Sequence, residues 1–233
     1  MSDIVSFTAY VADTELQEVT QTLNDYFTVM TDIVVRHHGH VDKYVGDGLM
    51  AIFREAPGVG HHANRAVYAA LEMLECLRDF NKGRAVHHQQ AIHIRIGVHS
   101  GPAIIGNIGC YGKMDYTAIG TAVILASRLE QHATADSVCI SDATHQLLGG
   151  YFHAIPGPDF VPKGFAEAQR VWQVCGQQPL LKFSVEFVAP DAMLTPHPAS
   201  WRLRLAHVVD LASLGGSLVV PCVPSTRCAD QDG

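Results

Sequence analysis

The chain has 233 residues, with 16 Lys and Arg against 23 Asp and Glu, for a formal charge of −7. Hydrophobic residues make up 48 % and charged residues 17 %, enough apolar material for a sizeable core and too little charge for a disordered chain. A net negative chain lacks the broad basic surface of nonspecific nucleic-acid binding, so no nucleic-acid partner is expected. Phosphate-bearing small molecules stay open, because a metal ion can supply positive charge.

No run approaches the roughly 18 apolar residues of a membrane helix. The start, MSDIVSFTAY, lacks the basic and apolar regions of a signal peptide. Cys76, Cys110, Cys139, Cys175, Cys222 and Cys228 form no C-x-x-C pair. They read as mostly reduced, buried thiols of a cytoplasmic protein.

In chain order, Ser2 to Phe7 reads as the end of a short strand. Val11 to about His38 reads as one helix, with Leu16, Val19, Leu23, Phe27, Met30 and Val34 on one face and Gly39 as its stop. Val41 to Val45 and Leu49 to Phe53 flank Gly46-Asp47-Gly48, a hairpin signal. Pro57-Gly58 breaks the chain before a second helix carrying Ala63, Val67, Ala70, Leu74 and Leu77 on one stripe.

Ile92, Ile94, Ile96 and Val98 alternate as in a half-buried strand. Gly101-Pro102 turns the chain into a strand-like run from Ala103 to Ile108. A Gly-rich loop (Gly106, Gly109, Gly112) leads to Asp115-Tyr116-Thr117. Gly120 opens a third helix that ends near His132. Val138 to Ile140, a short helix from Ser141, and strand-like pieces near Phe152, Phe165 and Val171 to Val174 follow.

This order predicts an α+β fold with a ferredoxin-like βαββαβ core and a mostly antiparallel or mixed sheet, helices covering one face. Residues 1–176 form the predicted domain. From Gln177 the texture changes, with six of the eleven prolines beyond it. Residues 177–233 are expected to be a flexible tail or small appendage, with a helix-like stretch from Trp201 to Leu214.

Three features bear on chemistry. Asp3 lies in a strand and Asp47 at a hairpin tip. Hard divalent cations such as Mg²⁺ take a few carboxylate oxygens together with phosphate oxygens, which two such aspartates suit. Alone, Asp47 reads as a turn residue and Asp3 as a surface acid. Lys43, four positions before Asp47, suits a base or phosphate, or solvent. Arg128 lies one helical turn beyond Ile124 and suits a bidentate clamp on polyphosphate, or a surface position paired with Glu130 or solvent.

The segments SDIVSFT, VDKYVGDGLMAIF, RIGVHSGPAIIGNIG and DYTAIGTAVILASRLE, in this order, resemble the class III nucleotidyl cyclase catalytic domain. The resemblance runs over about residues 1–176, with Lys163-Gly164-Phe165 as a late match. It implies that Asp3 and Asp47 bind two ions per site, Mg²⁺ or Mn²⁺, with the Ile4 carbonyl helping. Phe7 and Thr8 fall where backbone amides meet the triphosphate. Lys43 and Thr117 fall at the purine-reading pair, in a combination found in a bacterial adenylyl cyclase subgroup, which favours ATP over GTP. Arg128 matches the arginine that steadies the phosphates, and Lys163 a lysine on the β- and γ-phosphates. A homodimer is implied, with each site shared between two chains.

The implied reaction is attack of the ribose 3′-hydroxyl on the α-phosphorus, giving cyclic AMP and pyrophosphate. Two departures stand out. Ile124 occupies the position of a family Asn that orients the ribose, and it has no hydrogen-bonding atom. Loss of one preorganised donor typically costs about 10²–10³ in rate, so a weak enzyme is expected. The alternatives are a catalytically impaired nucleotide-binding or dimerisation module, and a guanylyl cyclase. Only Met1 and Ser2 precede Asp3, so the first half of a central strand is expected to be missing, with the terminal amine near the ions.

His37-His38-Gly39-His40, His61-His62 and His87-His88 lack H-x₃-H spacing and read as exposed loop and helix-end residues. His93 and His99 read as packing or surface positions. Gly97, Gly101, Gly106 and Gly109 read as turn and close-packing residues rather than a dinucleotide loop.

Overall fold

A computed structural model describes residues 1–178, 185–188 and 202–205. The chain divides into two compact units, Met1–Pro179 and Leu180–Gly233.

The first unit holds β1 (Ser2–Ile4), α1 (Phe7–Asp13), α2 (Leu16–Arg36), β2 (His40–Val45), β3 (Gly48–Ile52), α3 (His62–Val86) and β4 (Ile94–Val98). It continues with β5 (Ile104–Cys110), β6 (Lys113–Ile119), α4 (Thr121–His132), β7 (Ser137–Ser141), α5 (Asp142–Leu147), β8 (Phe152–Pro156) and β9 (Val171–Gln177). Seven strands form one sheet in the order β2-β3-β1-β4-β7-β9-β8, while β5 and β6 form a separate hairpin. Within the sheet β4 and β7 run parallel and the other pairs are antiparallel. The α+β class with its mostly antiparallel sheet is thus as expected. Among the described residues no helix is long and apolar enough to cross a membrane.

Strand alternation sorts side chains to two faces. Ile94, Ile96, Val138 and Ile140 pack with Tyr26, Met30, Ile33 and Val34 of α2 and Val67, Ala70, Leu74 and Leu77 of α3. Cys139, one residue out of phase, joins Leu125 and Leu129 of α4 in a second cluster. Helices therefore cover both faces of the sheet, not one. Gly97 shows why α4 lies so close: a Cβ there would sit 2.2 Å from the Glu130 amide and 2.5 Å from the Ala126 carbonyl.

Several expected boundaries differ. The strand at Ser2 ends at Ile4, and Ser6 takes a left-handed conformation (φ 58°) that turns the chain into α1. The long first helix is two helices, because Thr14 and Glu15 are extended. Short polar side chains such as Asp13 and Thr14 compete for backbone hydrogen bonds and favour helix ends. Tyr10 fixes α1 to the body through Thr22 (3.0 Å) and the buried Arg84 (3.0 Å).

Gly39 is not the left-handed residue after α2; His38 is, at φ 55°. Gly39 is instead a close approach, since a Cβ would lie 2.6 Å from the Phe53 ring. The Gly-rich loop is mostly strand, with β5 and β6 in register from Ile104↔Ile119 to Cys110↔Lys113. Phe165 lies in a turn, its amide on the Pro162 carbonyl at 3.0 Å, and packs against the second cluster.

In the second unit, β10 (Val185–Val188) pairs antiparallel with β11 (Arg202–Leu205). The helix expected from Trp201 is therefore a strand over these four residues. Arg-Leu-Arg-Leu alternates with period two, which the longer helical window hides. The rest of that helix, and most of the expected tail, lie outside the described residues.

Candidate active site

Asp3 sits opposite Arg95 in the β1–β4 register, and an Arg95 Nη2 donates to Asp3 Oδ2 at 2.9 Å. Asp47 follows Gly46 at the β2–β3 turn, where Gly46 is left-handed at φ 64°. Asp47 Oδ2 accepts from the Ile4 amide at 3.1 Å. The two carboxylates that the sequence singles out thus converge across the β1 end of the sheet. Burial, then the adjoining Asp3 carboxylate, push the Asp47 carboxyl up to about 6.

Glu130 extends this cluster from α4. Arg95 Nη2 lies 3.4 Å from Glu130 Oε1. Burial pushes Glu130 up to about 7, with Asp3 adding and Arg95 opposing. Three carboxylates and one guanidinium share a small volume, an anionic pocket that suits a cation. The donor set fits hard divalent ions: carboxylate oxygens, crowded enough to hold a proton near neutral pH in the absence of a counter-charge. The Met1 amine donates to the Gly97 carbonyl at 3.0 Å.

Lys43 and Thr117 come from different sheets and meet at one atom. A bulge between Val41 and Lys43 interrupts the β2–β3 register and sets Asp42 apart from the ladder. Lys43 Nζ lies 3.5 Å from Asp42 Oδ2. The Thr117 hydroxyl donates to the same oxygen at 2.7 Å. Past the bulge the ladder is regular, from Lys43↔Met50 to Val45↔Gly48.

Arg128 is held by Gln131 Oε1 (2.9 Å) and the Lys163 carbonyl (3.3 Å). Glu130, its expected surface partner, pairs with Arg95 instead. Lys163 is exposed and meets Arg128 through its backbone. Ile124 is 49 % exposed on the same helix one turn earlier. Phe7 and Thr8 are the first residues of α1, ahead of Ala9 and Tyr10, whose amides bond the Ser6 carbonyl. Helix-start amides of this kind have no intrahelical acceptor.

Asp42, Arg95 and Glu130 were not singled out from the sequence. Arg95 carried a signal, a charge between Ile94 and Ile96 on a strand expected to be half buried. Glu130 and Asp42 adjoin candidate residues but show no pattern of their own. Glu55, His61 and His62 bring three ligand atoms within 4.8 Å of one another, which the spacing argument against the histidines did not foresee. Glu55 Oε1 bonds His62 Nδ1 at 2.5 Å in that group. A cavity of about 330 Å³ lies between β3, β4, α3 and the β5–β6 hairpin, and none of Asp3, Asp47, Lys43, Thr117 or Arg128 lines it.

Residues 1–169 match the family described as the adenylate and guanylate cyclase catalytic domain. The chain is 32 % identical over 129 residues to adenylate cyclase 1 of Rhizobium meliloti, covering 55 % of this chain and 19 % of that protein. It resembles the crystal structure of the adenylyl cyclase CyaB from P. aeruginosa with a TM-score of 0.72 and 30 % identity, over 76 % of this chain and 92 % of that one. It resembles the guanylyl cyclase Cya2 equally, with a TM-score of 0.72 and 31 % identity, over 78 % and 92 %. The chain belongs to the class III adenylyl/guanylyl cyclase catalytic domain family. It spans 16 to 25 % of the length of the first three curated relatives it matches.

Proposed function

We propose that the chain is an adenylyl cyclase domain that converts ATP to cyclic AMP and pyrophosphate. The observation that carries this reading is the convergence of Asp3 and Asp47, with the Ile4 amide on Asp47 at 3.1 Å. Asp3 and Asp47, with the Ile4 carbonyl, would hold two divalent ions, Mg²⁺ or Mn²⁺. When bound, such ions neutralise triphosphate charge and favour the ionised ribose 3′-hydroxyl.

The chain's own residues bind and orient. The Phe7 and Thr8 amides stand ready for phosphate oxygens at the start of α1. Lys43 and Thr117 read the purine, and this pair favours ATP. Arg128 and Lys163 balance charge on the polyphosphate as the bond to pyrophosphate breaks. Little covalent work falls to the protein, so positioning and charge stabilisation set the rate.

The active form is a homodimer with sites shared between chains. In support, the β5–β6 hairpin exposes Ile104, Ile108 and Ile119 on one face and Met114 and Tyr116 on the other, apolar surface that a second copy would cover. A cytoplasmic setting in intracellular signalling accords with a nucleotide substrate and with the free thiols of Cys76, Cys110, Cys139 and Cys175.

A second reading is an impaired module that binds nucleotide or pairs with another cyclase chain. Ile124 favours it, because an exposed isoleucine stands where a donor would orient the ribose. Turnover of ATP and of GTP by the purified chain, with Mg²⁺ and with Mn²⁺, separates these readings. Cyclic AMP in excess supports the first, binding without product the second, and cyclic GMP in excess a guanylyl cyclase.

A further inference from the structure

A hydroxyl group has one hydrogen and two lone pairs, so its partner on one side decides what it offers on the other. The Thr117 hydroxyl has two acceptors within reach. Asp42 Oδ2 lies at 2.7 Å and the Ala118 carbonyl at 3.5 Å. The short, charge-assisted contact takes the hydrogen. What remains at Thr117 is lone pairs alone.

Asp42 is built for this one task. Its side chain is 1 % exposed. The β2 bulge lifts it out of the ladder toward β6. Lys43 Nζ, 3.5 Å away, supplies the opposite charge that a buried carboxylate requires. The void beside Asp42, lined in part by Arg54, Ile105 and Tyr116, measures about 10 Å³, room for one water and not for a base. Asp42 therefore acts through Thr117 rather than on the ligand.

We infer that Asp42 is a positioning residue for nucleotide selection: it locks the Thr117 hydroxyl as an acceptor, so that the site takes a purine bearing an exocyclic amine and rejects one bearing a carbonyl at that place. The inference rests on the proposed purine-reading role of Lys43 and Thr117 and deepens it. An amine donates into the Thr117 lone pairs. A carbonyl oxygen meets them with lone pairs of its own, and one unpaired polar contact of this kind is costly. In the free protein Asp42 Oδ1 is also buried without a partner, so no second donor competes to reorient the carboxylate.

The test is nucleotide affinity of the full chain with Mn²⁺, read by displacement of a fluorescent ATP analogue. The unmodified protein should bind ATP most tightly, a triphosphate of unsubstituted purine less tightly, and ITP, which carries a carbonyl, least. Asp42→Asn keeps the shape but brings an amide that donates to the hydroxyl. It should shrink the ATP-over-GTP ratio about five- to tenfold. Thr117→Val should do the same, Thr117→Ser should preserve the ratio, and Asp42→Asn with Thr117→Val should add nothing further. A merely structural Asp42 would weaken both nucleotides alike, and an unchanged ratio in Asp42→Asn overturns the inference. Equal binding of ITP and the unsubstituted triphosphate overturns it without any mutation. Preference of the unmodified protein for GTP, or binding of neither nucleotide, overturns instead the ATP reading beneath it.

Discussion

Asp47 accepts a hydrogen bond from the backbone amide of Ile4 at 3.1 Å, which ties the β2–β3 turn to the end of β1. That bond aims the Asp47 carboxylate at Asp3 rather than at solvent. It turns two acids 44 residues apart in the sequence into one anionic site.

The crowding of these acids gives stability a definite pH dependence. Asp47 rises from an unfolded value of 3.8 to about 6, and Glu130 from 4.5 to about 7. Both folded values lie above the unfolded ones, so their stabilising contribution is full below about pH 4 and lost as pH rises through 6 and 7. The metal-free protein should therefore lose Tm between pH 5 and pH 8 on their account. Asp47→Asn should flatten the lower part of that fall, raising Tm near pH 7.5 by about 2–4 °C. Mn²⁺ should raise Tm more at pH 8 than at pH 5.5, because the ion takes the place of the proton. Thermal melts across this range, with and without the ion, read all three effects.

Arg95 pairs with both Asp3 and Glu130 and so offsets the repulsion between them. Arg95→Met should destabilise the metal-free protein by about 1–3 kcal/mol at pH 8, less than for a fully buried pair because Arg95 is partly exposed. The loss should shrink at pH 6, where Glu130 is protonated. The same variant should bind Mn²⁺ more tightly, since Asp3 loses a competing cation. Denaturant unfolding and metal titration measure the two effects separately.

Ile124→Asn should raise turnover about 10–100-fold from a weak starting level, by restoring a donor beside the ribose. Nucleotide affinity should change little. A steady-state comparison of kcat and KM separates the two. No gain in kcat would mean that Ile124 does not face the substrate.

The architecture was legible wherever one period dominated. The alternation of Ile94, Ile96 and Val98 located β4, and the stripe from Ala63 to Leu77 located the start of α3, which runs on to Val86. Asp-Gly after Val45 gave the β2–β3 turn. What escaped were features set by tertiary contact. The break at Thr14 and Glu15 sits inside a continuous apolar stripe, and only the chain's turn through Ser6 makes it necessary. The second helical layer depends on the approach of α4 to Gly97, which periodicity does not report. Asp3 and Asp47 were visible as acids at chain reversals. Arg95, Glu130 and Asp42 were not, because their roles arise from strand register, helix docking and a bulge.

The shared-site reading makes a quantitative statement about mixed dimers. Asp47→Ala and Arg128→Ala should each abolish turnover alone. After mixing and equilibration, half the dimers are heterodimers, and each carries one undamaged site of two. About a quarter of the unmutated activity should return. Separate sites within each chain would give no recovery.

Cyclic AMP formation from ATP with Mn²⁺, measured side by side for the unmodified chain, Asp47→Asn and Ile124→Asn, tests the acid pair most directly. The expected result is metal-dependent product from the unmodified chain, more from Ile124→Asn, and at least about a hundredfold less from Asp47→Asn. Undiminished turnover in Asp47→Asn, or no cyclic nucleotide from Ile124→Asn with either ATP or GTP, would contradict the account.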